Sequence, residues 1–196
     1  MAPREQIDQL LKEVRGCRAC AGRLPNEPRP IVQLGSGARL VIIGQAPGRR
    51  VHESGIPWAD PSGDRLRSWL GIEPATFYDA SRVALIPMGF CYPGSKASGD
   101  LAPRPECAPL WHDRLLAVLP ADRLTVLIGA YAIARYVPGA GTLTAAAAAW
   151  RDFLPDRFVL PHPSPRNRNW LAKNAWFETE AVPVIRERVV ELLGDR

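Results

Sequence analysis

The chain has 196 residues, 46% of them hydrophobic and 23% charged, which suits one compact domain with a full core over 1–196. No apolar run reaches the ~20 residues that a membrane-spanning helix requires, and residues 1–14 are charged and amphipathic without the apolar centre of a signal peptide, so a cytoplasmic protein with no membrane partner is expected. The formal charge of +5, carried far more by arginine than by lysine, permits phosphate contact without requiring it, because a chain this rich in alanine and proline accumulates arginine for compositional reasons as well.

Ile7, Leu10, Leu11 and Val14 fall at helical spacing, which predicts an opening amphipathic helix over 6–14. Cys17 and Cys20 follow, and residues 21–37, rich in Pro, Gly and Arg, read as irregular chain. Leu40-Val41-Ile42-Ile43 is short, apolar and β-branched, the pattern of a buried parallel strand. It runs into GQAPGRRVHESGIPWADPSG, residues 44–63, and then into a helical pattern from about Asp64. A strand, a Gly/Pro loop and a helix in succession set backbone N–H groups at the carboxyl edge of a sheet, so this loop is the first candidate for an active site.

Further strands are predicted at 83–86, 124–128 and 158–160, and helices at 110–119, 130–136 and 182–193. Residues 92–105 read as a polar loop and 142–150 as a loop or short helix. Apolar strands alternating with helices imply a parallel sheet covered on both faces.

Four cysteines form a C-x2-C pair, Cys17 and Cys20, and a C-x15-C pair, Cys91 and Cys107. Four soft ligands suit structural zinc or a [4Fe-4S] cluster, and spacing alone does not separate the two. Disulfides, or two unrelated pairs of thiols, are the alternatives, and nothing in the sequence points to secretion. Of the three histidines, His112 beside Trp111 reads as structural. His162 stands at a strand end between Pro161 and Pro163, where a neutral imidazole can donate to a developing anion.

GQAPG after a strand, GIPW after a six-residue gap, the second cysteine pair and HPSPRNR after the last strand together resemble the uracil-DNA glycosylase superfamily. The cysteine spacing resembles its iron-sulfur family 4 type. The resemblance implies a three-layer α/β/α sandwich around a four-stranded parallel sheet, in an enzyme that flips uracil out of single- or double-stranded DNA and hydrolyses its N-glycosidic bond. It assigns Trp58 to stacking on uracil, His162 to the uracil carbonyl that becomes anionic, and Cys17, Cys20, Cys91 and Cys107 to a [4Fe-4S] cluster. Ser62, Gly63 and Ser164 match residues that pinch DNA phosphates, and Arg166, Asn167 and Arg168 match the loop that enters the duplex. The basic tip of that loop suits single strands. A monomer is expected of an enzyme that scans DNA.

The sequence departs from this pattern at two places. Gln45 replaces the glutamate usual in family 4, and Ala46 replaces the aspartate that follows the glutamine of family 1 enzymes, so the usual water-activating carboxylate is absent. Pro87 stands where an asparagine reads the uracil edge, and proline offers no side-chain donor or acceptor. Base reading then falls to backbone groups of Gln45, Ala46 and Met88. Cleavage is expected to be largely dissociative, assisted by His162, with His52 positioning water; attack by His52 on the sugar, or water orientation by Glu53, are alternatives. Arg49 and Arg50 are candidates for flanking phosphates or simply a solvated pair. Release of another deaminated or modified base, and a weakly catalytic protein that binds uracil or abasic sites, are the competing functions.

Overall fold

The computed structural model describes residues 3–97 and 99–194; Met1 and Ala2 of the predicted amino-terminal segment, Ser98 of the predicted 92–105 loop, Asp195 and Arg196 lie outside the described residues. The elements run α1 (Pro3–Arg15), β1 (Leu40–Ile43), α2 (Arg49–Ser54), α3 (Pro61–Leu70), α4 (Pro74–Phe77), β2 (Val83–Leu85), β3 (Ser95–Lys96), β4 (Gly99–Asp100), α5 (Cys107–Ala117), β5 (Leu124–Ile128), α6 (Ala130–Tyr136), α7 (Leu143–Ala148), β6 (Arg157–Leu160), α8 (Arg168–Lys173) and α9 (Val182–Leu193). None of the described helices is long and apolar enough to cross a membrane.

A four-stranded parallel sheet in the order β2-β1-β5-β6 forms the middle layer, with Leu40 opposite Val83 on one side and Leu124 on the other. Alternate strand residues feed two cores. Leu40, Ile42, Leu85, Val126 and Phe158 face α3 and α9 through Leu66, Leu70, Ile185 and Val189. Val41, Ile43, Ile86, Leu127 and Val159 face α1, α5 and α6 through Leu11, Val14, Leu115 and Ile133. Strands buried on both faces explain why their sequences read as continuous apolar runs.

The helix expected from Asp64 begins three residues earlier. Asp60 caps it by accepting from Gly63 N–H at 2.9 Å, and Pro61 occupies its first turn, where a missing N–H costs nothing. Helix α2 occupies the RRVHES insert read as loop; only Val51 of it is buried, so it carries no periodic signal. The 92–105 stretch contains the small antiparallel hairpin β3–β4, whose strands have two residues each.

His112 is fully buried on α5 between Phe90 and Tyr136, with ring planes tilted 10° and 20°. Its Nε2 meets the Pro87 carbonyl at 3.0 Å and its Nδ1 meets the Tyr136 hydroxyl at 2.6 Å. A carbonyl only accepts, so Nε2 carries the proton and Nδ1 accepts from tyrosine. Burial pushes the His112 pKa down to about 4, against the pull of the Pro87 carbonyl. The unfolded chain protonates near pH 6.5 and the folded one only near 4, so this stabilisation is present above pH 6.5 and is lost as pH falls through that window. The His112→Gln variant is expected to lose about 2 kcal/mol less stability than wild type between pH 7 and pH 5, measured by urea unfolding at each pH.

Candidate active site

The loops after β1, β2 and β6 meet at the carboxyl edge of the sheet, where β1 lies between β2 and β5 and the strand order reverses. They enclose a cleft of about 410 Å³ whose lining includes Gln45, Ala46, Trp58, Pro87, Asp100 and His162. Its floor is held by continued pairing beyond the strands: Met88 N–H donates to Gly44 O at 2.8 Å and Gly89 N–H to Gln45 O at 3.0 Å. Among the described residues the N–H groups of Gln45 and Ala46 find no protein acceptor, leaving two donors at the cleft floor. Met88 does not line the cleft; its N–H is spent on Gly44 and its side chain packs into the α1/α5 core. Of the backbone groups expected to read the base, those N–H groups remain.

Trp58 stands at φ 57, a left-handed conformation that costs a non-glycine residue about 1–2 kcal/mol. Two glycines shape its seat. A Cβ at Gly44 would lie 2.6 Å from the indole Cζ2, and one at Gly63 would collide with the Trp58 carbonyl. Arg67 reaches the same carbonyl at 3.5 Å. Gly63 is therefore buried support for Trp58, while Ser62 beside it lines the cleft.

The Trp58 and His162 rings stack at a centroid separation of 5.8 Å with a 29° tilt. A base sandwiched between two rings needs about 7 Å, two van der Waals contacts of about 3.5 Å. These rings therefore act as adjoining walls in this conformation, and a flat ligand has no room between them. Ser164 N–H donates to His162 Nδ1 at 3.2 Å, so the neutral ring carries its proton on Nε2, for which no described residue is an acceptor. Burial holds the His162 pKa below the ordinary imidazole value, while the charges of Asp60 and Asp100 pull it back upward. The neutral donor expected at this position is the form that this environment favours.

Arg49, Arg50, Ser164 and Arg166 line the cleft, and all three arginines are exposed. Arg168, also exposed, opens α8 beyond the cleft lining. Asn167 turns inward and donates to the His162 carbonyl at 2.7 Å, and Ser164 Oγ accepts from Arg166 N–H at 3.2 Å, so both shape the loop. His52 lies elsewhere. The ring points away from the cleft, sits 5.8 Å from Tyr92 and lines a neighbouring groove, because α2 turns Val51 inward and carries His52 to its other side. Glu53 lines the same groove, so neither residue of the insert is at hand for the water.

Two carboxylates of the cleft escaped sequence reasoning. Asp60 had a legible signal in its Asp-Pro-x-Gly helix start; Asp100 had none, since the hairpin that delivers it is too short to show a period.

All four cysteines line one small cavity beside Phe90, Arg104 and Trp111. They form no disulfide, and Phe90 N–H donates to Cys107 Sγ at 3.3 Å. Among the described residues no three His, Cys, Asp or Glu side chains are set closely enough for a single metal ion.

A family model described as the uracil DNA glycosylase superfamily matches residues 32–186. Among solved structures, a Methanosarcina acetivorans protein described as a candidate uracil DNA glycosylase, determined by solution NMR, shares 20% identity over 79% of this chain and 93% of its own, with a TM-score of 0.44. The family match spans most of the chain and takes in the strand ends that build the cleft, from GQAPG to HPSPRN. The chain belongs to the uracil DNA glycosylase superfamily.

Proposed function

We propose that this protein releases uracil from DNA by hydrolysing its N-glycosidic bond. The observation that carries the reading is His162: a half-buried, neutral ring with Nδ1 occupied and Nε2–H free, beside an indole at a Gly-lined cleft. Such a donor offers little to a neutral carbonyl and much to the anion that a departing base becomes. The free N–H groups of Gln45 and Ala46 supply further donors at the floor. Trp58 offers its remaining face to the flipped base, and Arg49, Arg50 and Arg166 offer charge to the flanking phosphates.

With His52 turned away and Ala46 bearing no carboxylate, the reaction leans on departure of the base anion rather than on a strong general base, whose help is worth only about 10²- to 10⁴-fold in typical cases. Single-turnover cleavage of a uracil oligonucleotide is expected to slow about 10²- to 10³-fold in His162→Ala with DNA affinity retained. No release by the wild type, with DNA bound, would sink the reading. Pro87 favours one second reading, release of another deaminated base, because it lines the cleft where a side-chain reader would stand and its carbonyl is taken by His112. A panel of hypoxanthine, xanthine and 5-substituted pyrimidines separates the two.

Cys17, Cys20, Cys91 and Cys107 are proposed to hold a [4Fe-4S] cluster, which would cross-link the amino-terminal segment to the loop after β2 and the start of α5. Burial raises the Cys91 thiol to about 11 and Cys107 to about 12, so neither ionises at neutral pH without a compensating cation. The four thiols line one cavity and form a soft donor set of the kind a cluster takes. Protein purified anaerobically is expected to contain iron and sulfide in equal amounts and to lose both, with a lowered Tm, in Cys107→Ser; stoichiometric zinc without sulfide would refute the assignment.

A further inference from the structure

The cleft holds two carboxylates, and only one has a structural task. Asp60 uses Oδ1 to cap α3. Asp100, an exposed residue paired through its backbone with Ser95 on β3, lines the cleft, and among the described residues its carboxylate has no hydrogen-bond or ion-pair partner, although Arg49, Arg50 and Arg166 line the same cleft. An unpaired carboxylate in a site that must accept a polyanion works against binding, so its placement calls for a return in the chemistry.

Three features of its neighbours set its surroundings. Gly48, the last residue of GQAPG, leaves room for it: a Cβ at that position would lie 3.3 Å from Asp100 Oδ2. Gln45 Nε2 reaches the carbonyl of the next residue, Leu101, at 3.4 Å. The Arg166 guanidinium lies against Gly99, which sits at φ +132. The hairpin is thus clasped between the β1 loop and the β6 loop. Asp100 Oδ2 lies beside Gly48, and its charge acts on His162, which stacks on Trp58.

We propose that Asp100 faces the deoxyribose of the flipped nucleotide, opposing the positive charge that builds at C1′ and holding the attacking water. It takes over, from a hairpin, the task of the carboxylate missing at Ala46, and it rests on the glycosylase reading above. The C1′–N bond breaks with its electron pair leaving on the base, whose anion meets His162 Nε2–H. Water adds through its oxygen to C1′, its proton passes to Asp100 and on to solvent, and the base anion gains a proton from solvent. Water is the sole co-reactant.

The test compares wild type with Asp100→Asn and Asp100→Ala in two assays. Single-turnover uracil release is expected to fall about 10²-fold in both variants. Affinity is measured for DNA carrying a protonated pyrrolidine abasic-site analogue and for DNA carrying its neutral tetrahydrofuran counterpart. Wild type is expected to prefer the cation about tenfold, and both variants to lose that preference while binding the neutral analogue at least as tightly. Variants that cleave at the wild-type rate, or that keep the preference for the cation, overturn the assignment, as does a wild type with no such preference. If wild type releases no base, the glycosylase reading fails, and the analogue pair still decides whether Asp100 opposes a cation at this position.

Discussion

The structure depends on the pairing of β1 with β2 running on past the last apolar residue of either strand. Ile86 N–H reaches Ile42 O at 2.9 Å, and the bonds from Met88 and Gly89 to Gly44 and Gln45 carry the register into the loops. Backbone groups that would otherwise need water are satisfied by one another, so two irregular segments become as fixed as the sheet. The same four or five residues serve both functional regions. Pro87 lines the cleft, while Gly89, Phe90 and Cys91 line the cysteine cavity, and Ile31 N–H binds the Phe90 carbonyl at 2.8 Å. The cysteine region and the cleft are therefore opposite ends of one clamped segment.

His112, fully buried, and His162, half-buried at the cleft, show how context divides one chemistry into two roles. Both are neutral and both carry the proton on Nε2. His112 spends that proton on the Pro87 carbonyl, which fixes the wall of the cleft from behind. His162 spends its acceptor side on Ser164 N–H and keeps the donor side free. A backbone carbonyl and a backbone N–H thus decide which histidine braces and which can act.

Most of the scaffold was legible because the sheet is buried on both faces: β1, β5, α6 and α9 begin and end where the apolar patterns do. The elements that were not legible are those whose residues face solvent. Helix α2 has one inward residue and the β3–β4 hairpin presents mostly exposed positions, so neither writes a period into the sequence. The cleft followed the same division. His162 was readable from the prolines that flank it, and Trp58 from the resemblance of GIPW to a family motif. Asp100 arrives by way of the hairpin, and His52, which looked well placed in one dimension, is rotated out by the helix that carries it. Loop residues reach a site through geometry that local sequence does not encode.

The stack of Trp58 on His162 sets a threshold that every entering base has to meet. Each ring already covers part of the other, so an entering base finds part of the aromatic surface in use and gains less from contact than it would on a bare indole. A base extruded by chance must recover the energy of leaving the helix from what remains. The deficit falls equally on every base, and it leaves hydrogen bonding at the cleft floor to decide which one stays long enough to react.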